Sequence, residues 1–403
     1  MPIELTTRFV PIPGIPLRAA AAPSPLGRLA GLVGTWKGNG FNQIFRPFHN
    51  ANDPSDDNFL ELNLTTETLE FAEIPGEIPN RGFLQADISL FGMTYLQQIA
   101  DKNVKDTSGR PAGIHIEPGI WINVPATTNP REVASVARLA NIPHGTALLA
   151  QGTPKSIGGA PVFPKVDITP FFIGQPSNKV KFPSQKLSNP PAPQAGRRRS
   201  APADIVGITQ GMVDDPNSVL RKALVGKTIN SHTRIHVTTR MTATTTPNTG
   251  SGIADIAFLD GIGSPNAAVT FMDSTFWLSH FTSASGSGTL LQYSQVVLLD
   301  FAPLSWPHVS VANLIKQPTT TSATRELLVA RELDVSSTGD GPGSADPGRA
   351  GPAEPAPAAG RLVVIPDDDD DDDVDVPPAG AAPTKKVARA TRKAPAKRRP
   401  PTR

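Results

Sequence analysis

Three stretches decide the fold: residues 269–280 (VTFMDSTFWLSH), 289–300 (TLLQYSQVVLLD) and 308–315 (HVSVANLI). Each has strand length and is rich in β-branched and aromatic residues. Gly286-Ser287-Gly288 makes a polar turn between the first two. Working outward, the same texture continues back to about Gly34. Further strands are expected over 35–45, 59–72, 82–98, 112–124, 136–140, 146–152, 229–243 and 253–259, separated by clusters of Gly, Pro, Asn and Asp. About ten strands with short turns and little helix suggest a sandwich or an up-and-down barrel. A helix is expected over 215–225, with Pro216 near its start and Gly226 after its end. The segment 176–202 has linker composition. It reads as a long excursion between strands, with the Arg197–Arg199 triplet exposed.

Composition narrows the function. With no Cys, the chain has no disulfide, thiolate metal site, cysteine nucleophile or cysteine-ligated haem. The net charge of +2 gives no overall bias toward nucleic acid or membrane. No run of about 18 apolar residues predicts a membrane span. Ala19–Ala22 lacks a preceding apolar stretch, so no signal peptide is expected and cytoplasmic residence is the default. No Gly-x-Ser-x-Gly elbow marks a serine hydrolase. His232 and His236 lie four apart, but in strand-like rather than helical surroundings, which argues against a zinc pair.

The ends differ from the middle. Residues 1–27 form a Pro-punctuated lead-in, and 28–317 carry the strands. Residues 318–403 hold few large apolar residues, apart from a short helix expected over 326–333. They contain seven consecutive aspartates, Asp367 to Asp373, in an acidic block (367–375), then a basic block (385–403). Such a tail cannot bury enough apolar surface to offset the entropy of ordering it, so disorder is expected. The basic block has two readings: weak, salt-dependent binding of polyanions, or a solubilising role with no partner.

Three short motifs point to a ligand site. Gly34-Thr35-Trp36 heads the first strand, where an indole is expected to plug one end of a barrel, a calycin feature. Mid-chain lies Gly113-Ile114-His115-Ile116-Glu117-Pro118-Gly119-Ile120-Trp121. Trp306-Pro307-His308-Val309-Ser310 opens the last strand. Strand alternation places His308 beside the small Ser310 and Ala312, leaving room next to the imidazole. In this order the motifs resemble the nitrobindins, a family of haem-binding β-barrels.

That resemblance implies a mainly β fold: a closed antiparallel up-and-down, calycin-type barrel. It implies ferric haem as cofactor, with His308 as the proximal ligand of the iron and His115 lining the distal side. Glu117, Trp36, Thr35 and Gly34 join them as pocket residues, and reactivity toward nitric oxide, peroxynitrite or peroxide follows. The alternative is a calycin-type carrier of a lipid or other apolar metabolite, without metal or turnover. His115 raises a conflict. Alternation sets His115, Glu117 and Trp121 against Ile114, Ile116, Ile120 and Ile122, and turning the isoleucines inward would expel His115. Both faces are accommodated where inserted segments, such as 154–202, cover the isoleucines, or where a bulge at Pro118 changes the facing mid-strand.

Overall fold

The computed structural model describes residues 24–48, 57–83, 85–142, 145–194, 196–239, 252–255 and 267–318. The lead-in through residue 23, the helix expected over 326–333, and the acidic and basic blocks lie outside the described residues. Ten strands form the barrel: β1 (Gly34–Phe48), β2 (Asp57–Glu73), β3 (Ile88–Lys105), β4 (Pro111–Val124), β5 (Ser135–Ile142), β6 (Thr146–Gly158), β7 (Ser231–Thr238), β8 (Ala268–Ser283), β9 (Gly286–Phe301) and β10 (Leu304–Lys316). Each pairs antiparallel with its sequence neighbour. β1 closes the ring on β10, from Trp36 opposite Lys316 to Gln43 opposite Val309. The architecture is therefore a closed, ten-stranded, up-and-down antiparallel barrel. No helix among the described residues is long and apolar enough to cross a membrane.

Contacts between strands that are not neighbours identify the lumen. Gln97 on β3 and Glu67 on β2 both bond Tyr293 on β9, and Arg138 on β5 bonds Gln295 on β9. Paired residues share a face, so this face can be followed through every register. It carries Trp36, Gly38, Gly40 and Asn42 on β1, and His308, Ser310, Ala312 and Leu314 on β10.

Several boundaries differ from the sequence expectation. β3 begins at Ile88 rather than Gly82 and runs on through the polar Asp101, whose carboxylate takes the backbone N–H groups of Asn103 and Val104 at a bulge. β6 continues past Gly152 to Gly158. Gly152 is no terminator: a Cβ there would lie 1.8 Å from the His236 carbonyl oxygen, so it permits close approach of β7. Of the strand expected at 253–259, Gly252–Asp255 pairs with β6, and 256–259 lie outside the described residues. The helix expected at 215–225 is split into α1 (Gln210–Asp214) and α2 (Ser218–Ala223). Pro216 cannot continue a hydrogen-bonded turn, and the Asp215 carboxylate instead takes the backbone N–H groups of Val166 and Asn217.

The excursion between β6 and β7, residues 159–230, packs as an outer layer on one side of the barrel. Phe163 meets Trp277 edge-on at 4.8 Å, and Phe182 lies 6.0 Å from Phe45 and 5.1 Å from Trp306. The Leu60 N–H bonds the Arg198 carbonyl, and Gln292 reaches the Leu220 carbonyl. Beneath this layer lie Phe41, Phe45, Leu60, Leu62, Val309 and Val311, each buried. Two expectations are corrected here. Arg198 and Arg199 are buried, because Arg198 lies over the Phe48 ring and Arg199 donates to the carbonyls of Ser184, Lys186 and Asn189. The excursion also covers the wall of β1, β2 and β8–β10, not the isoleucines of β4. Ile116 remains 43% exposed.

Candidate functional site

The ends of the lumen are unlike. At one end the 3-10 helix Gly27–Leu32 drops Leu29 and Leu32 inside, and the Leu32 carbonyl accepts the Trp36 indole N–H at 2.6 Å. Lys316 lies over the Trp36 ring. This end is closed. Gly34, at φ +120°, turns the chain from helix into strand. The Gly34-Thr35-Trp36 motif thus builds the plug, while His308 lies toward the other end. The structure does not bring these two parts of the sequence-derived site together.

His115 and Glu117 do reach the lumen, with Trp121, while Ile114, Ile116, Ile120 and Ile122 face outward. The side chain of His115 is 17% exposed, whereas that of Glu117 is fully buried. Glu117 anchors a dense polar cluster. It accepts hydrogen bonds from Tyr95 and Arg138, and His115 Nε2 lies 3.3 Å away. Arg138 also donates to the Tyr95 hydroxyl at 3.0 Å and to Gln295 Oε1 at 2.7 Å. Burial opposes charge on Glu117, but Arg138, then His115 and Tyr95, outweigh it and hold the carboxyl at about 2.

Glu67 has the opposite environment. It is enclosed by Tyr293 (2.7 Å), Thr65 (2.7 Å) and Gln97 (3.5 Å), with no cation bonded to it. Burial therefore pushes its carboxyl above the ordinary range, against those hydrogen bonds. Gly40 makes room for it: a Cβ at Gly40 would stand 2.8 Å from Glu67 Oε1. Of the buried carboxyl groups in the lumen, Asp101, Glu67 and Glu117, Glu117 is thus held below the ordinary range and Glu67 above it.

A third polar set lies nearer the other end. His308 Nε2 is 2.8 Å from Asn42 Oδ1, which also accepts from the Ser310 hydroxyl at 2.8 Å. Asn42 Nδ2 donates to Asn63 Oδ1 at 3.0 Å, and Asn63 Nδ2 to Asp101 Oδ2 at 2.8 Å. The facing wall is mostly apolar: Val136, Ala140, Leu148, Ala150, Ile235, Val237, Met272, Phe276 and Val297 are all buried.

Sequence reasoning missed Arg138, Glu67, Tyr95, Gln97, Tyr293, Asn42, Asn63 and Asp101. For Asn63 and Glu67 the signal is the alternation of β2, where Glu61, Asn63, Thr65 and Glu67 interleave with Leu60, Leu62 and Leu64. The remaining histidines described are occupied outside the lumen. His232 bonds the Gly159 carbonyl, His236 bonds Asp273, and His280 bonds Thr289.

For a haem iron the lumen offers two imidazoles. His308 fits by placement: it is partly exposed and lies beside Ser310 and Ala312. Trp36, Trp121, Arg138 and Tyr293 fill the closed end and middle, which leaves only the end where His308 lies for such a group. No family model, curated protein or solved structure matches this chain.

Proposed function

We propose that the barrel binds haem at the end away from the Trp36 plug, where His308 would hold the iron and His115 would face it across the lumen. The observation that supports this most is that His308 on β10 and His115 on β4 both face the lumen. β4 does this against the ordinary rule that turns isoleucines inward. The motif order read in the sequence, which resembles the nitrobindins, points the same way. When bound, the group would supply an iron centre of the kind that reacts with nitric oxide, peroxynitrite or peroxide.

The chain's own residues define the rest. Val297, Leu148 and Ala140 give the macrocycle an apolar face and exclude water. Ser310 and Ala312 leave space beside the imidazole. Glu117 orients His115, and Arg138 holds Glu117 ionised so that it can do so.

The test is a Soret band in protein from haem-supplemented cells. His308→Ala should abolish or shift it with the far-ultraviolet circular dichroism unchanged. His115→Ala should keep the band and alter reaction with peroxide or nitric oxide. Single Ala variants at His232, His236 and His280 should match the parent. A His308→Ala protein with an unaltered spectrum overturns the assignment.

A second reading, a metal-free carrier of an amphiphilic metabolite, draws support from the Asn42 contact, which already engages His308 Nε2. Native mass spectrometry of protein from unsupplemented cells, showing an organic adduct and no haem, would favour it.

A further inference from the structure

The chain Asp101–Asn63–Asn42–His308 crosses four neighbouring strands, β3, β2, β1 and β10, and its direction is fixed at one end. Both Asp101 oxygens are occupied. Oδ1 takes the backbone N–H groups of Asn103 (2.8 Å) and Val104 (3.2 Å), and Oδ2 takes Asn63 Nδ2. A buried carboxylate held by three N–H groups acts as an acceptor. Asn63 must therefore turn its NH₂ to Asp101 and its oxygen to Asn42. Asn42 in turn must give its NH₂ to Asn63, which leaves its oxygen for Ser310 and His308. Each amide has one donor end and one acceptor end, so the choice made at Asp101 propagates without ambiguity. His308 Nε2 stands 2.8 Å from an oxygen that can only accept, and so it must carry the proton.

We infer that Asn42 is a positioning residue that fixes His308 as its Nε2–H tautomer and competes with a metal for that nitrogen. The tautomer follows from the relay alone; the competition rests on the haem reading given above. An iron approaching Nε2 would have to displace both the proton and the Asn42 hydrogen bond. Asn42 would then set how readily the iron is taken up by His308. A hydrogen bond of ordinary net strength corresponds to roughly five- to tenfold in affinity.

The relay also predicts its own reversal. Asp101→Asn is nearly isosteric. The two backbone N–H groups would keep Oδ1 of the new amide, so its NH₂ would face Asn63. The Asn63 and Asn42 amides would then flip in turn, giving up the long 3.4 Å contact of Asn63 Nδ2 to Glu61 Oε1 and presenting an NH₂ to His308 Nε2.

The experiment is two-bond ¹H–¹⁵N correlation on the full chain with ¹⁵N-labelled histidine and no haem, with the His308 signals assigned by His308→Gln. The parent should show the Nε2–H form, and Asp101→Asn should shift the population toward Nδ1–H. A parent in the Nδ1–H form, or an Asp101→Asn variant that keeps the parental pattern, overturns the relay. Haemin titration then compares the parent with Asn42→Ala, which should bind about five- to tenfold more tightly. Equal or weaker binding by folded Asn42→Ala overturns the competition. A parent that shows the Nε2–H tautomer yet takes no haemin overturns the haem reading and leaves the relay intact.

Discussion

The two walls of the lumen are built on different principles. From the middle of the barrel toward the end away from the Trp36 plug, β1–β4 line it with Asn42, Asn63, Thr65, Glu67, Gln97, Asp101, His115 and Glu117. Opposite, β5–β9 contribute mostly Val, Ala, Leu, Ile, Met and Phe, with Arg138, Tyr293, Ser274 and Gln295 as the exceptions that reach across. An apolar wall is specified by volume, and shape-conserving exchanges are tolerated. A polar wall is specified by matched partners, because a buried donor or acceptor left alone costs about 1–3 kcal/mol and a lone buried charge more. The difference shows that the barrel is held together by bonding across its centre as well as around its ring.

The sharpest way to break this comparison is to remove the one cation of the cluster. Arg138→Met strands the Glu117 charge in a fully buried position and should cost about 3–5 kcal/mol in urea unfolding. Adding Glu117→Gln should recover a large part, since the uncompensated charge goes with it. A single variant costing under about 1 kcal/mol would mean that water reaches the cluster and the polar wall is not structural.

On the apolar wall the effects should be smaller and graded by volume. Ile235 is fully buried; Ile235→Val should cost about 0.5–1.5 kcal/mol. A larger loss would show that this wall is as finely matched as the other.

The two carboxyl groups should give opposite pH signatures. For Glu117 the folded value, about 2, lies below the ordinary 4.5. Its contribution is therefore present above 4.5 and lost as pH falls toward 2. For Glu67 the folded value is raised above 4.5. Between these values the folded chain holds a proton that the unfolded chain has released, so stability falls as pH rises through that window. Glu67→Gln should flatten that fall while leaving the acid limb in place. An unchanged profile would show that Glu67 is ionised in the folded chain.

The smallest expected effect lies outside the barrel. Ile116, half-exposed on β4, should tolerate Ile116→Thr within about 0.5 kcal/mol. A loss typical of a core residue would show that the β4 isoleucines are covered after all.

Much of the architecture was legible in the sequence. Strand number and type followed from β-branched and aromatic runs between turn clusters, since local backbone preference and turn chemistry act over a few residues. Alternation on β10 put His308, Ser310, Ala312 and Leu314 together, as observed. Trp36 was readable as a plug because a large indole at a glycine-flanked strand start has few other places to go. Trp306 follows the same alternation, opposite Leu299 on β9. Trp306 packs with Phe45 and Phe182 beneath the excursion, where β1 and β10 cease to pair after Gln43 and Val309.

What the sequence determined by itself was the period of two along each strand. It did not determine which of the two faces is inside. On β2 and β4 the alternation is clear, yet Leu60, Leu62, Leu64 and the isoleucines turn outward while Glu67, Glu117, Asn63 and His115 turn in. That choice is collective. It depends on Arg138 meeting Glu117 from β5, on Tyr293 meeting Glu67 from β9, and on residues 159–230 covering Leu60 and Leu62 from outside. Each partner comes from another element: Arg138 from the adjacent strand, Tyr293 from a strand that only closure of the ring brings within hydrogen-bonding range. A single strand carries no record of its partners across the lumen, so the tertiary structure decided the face.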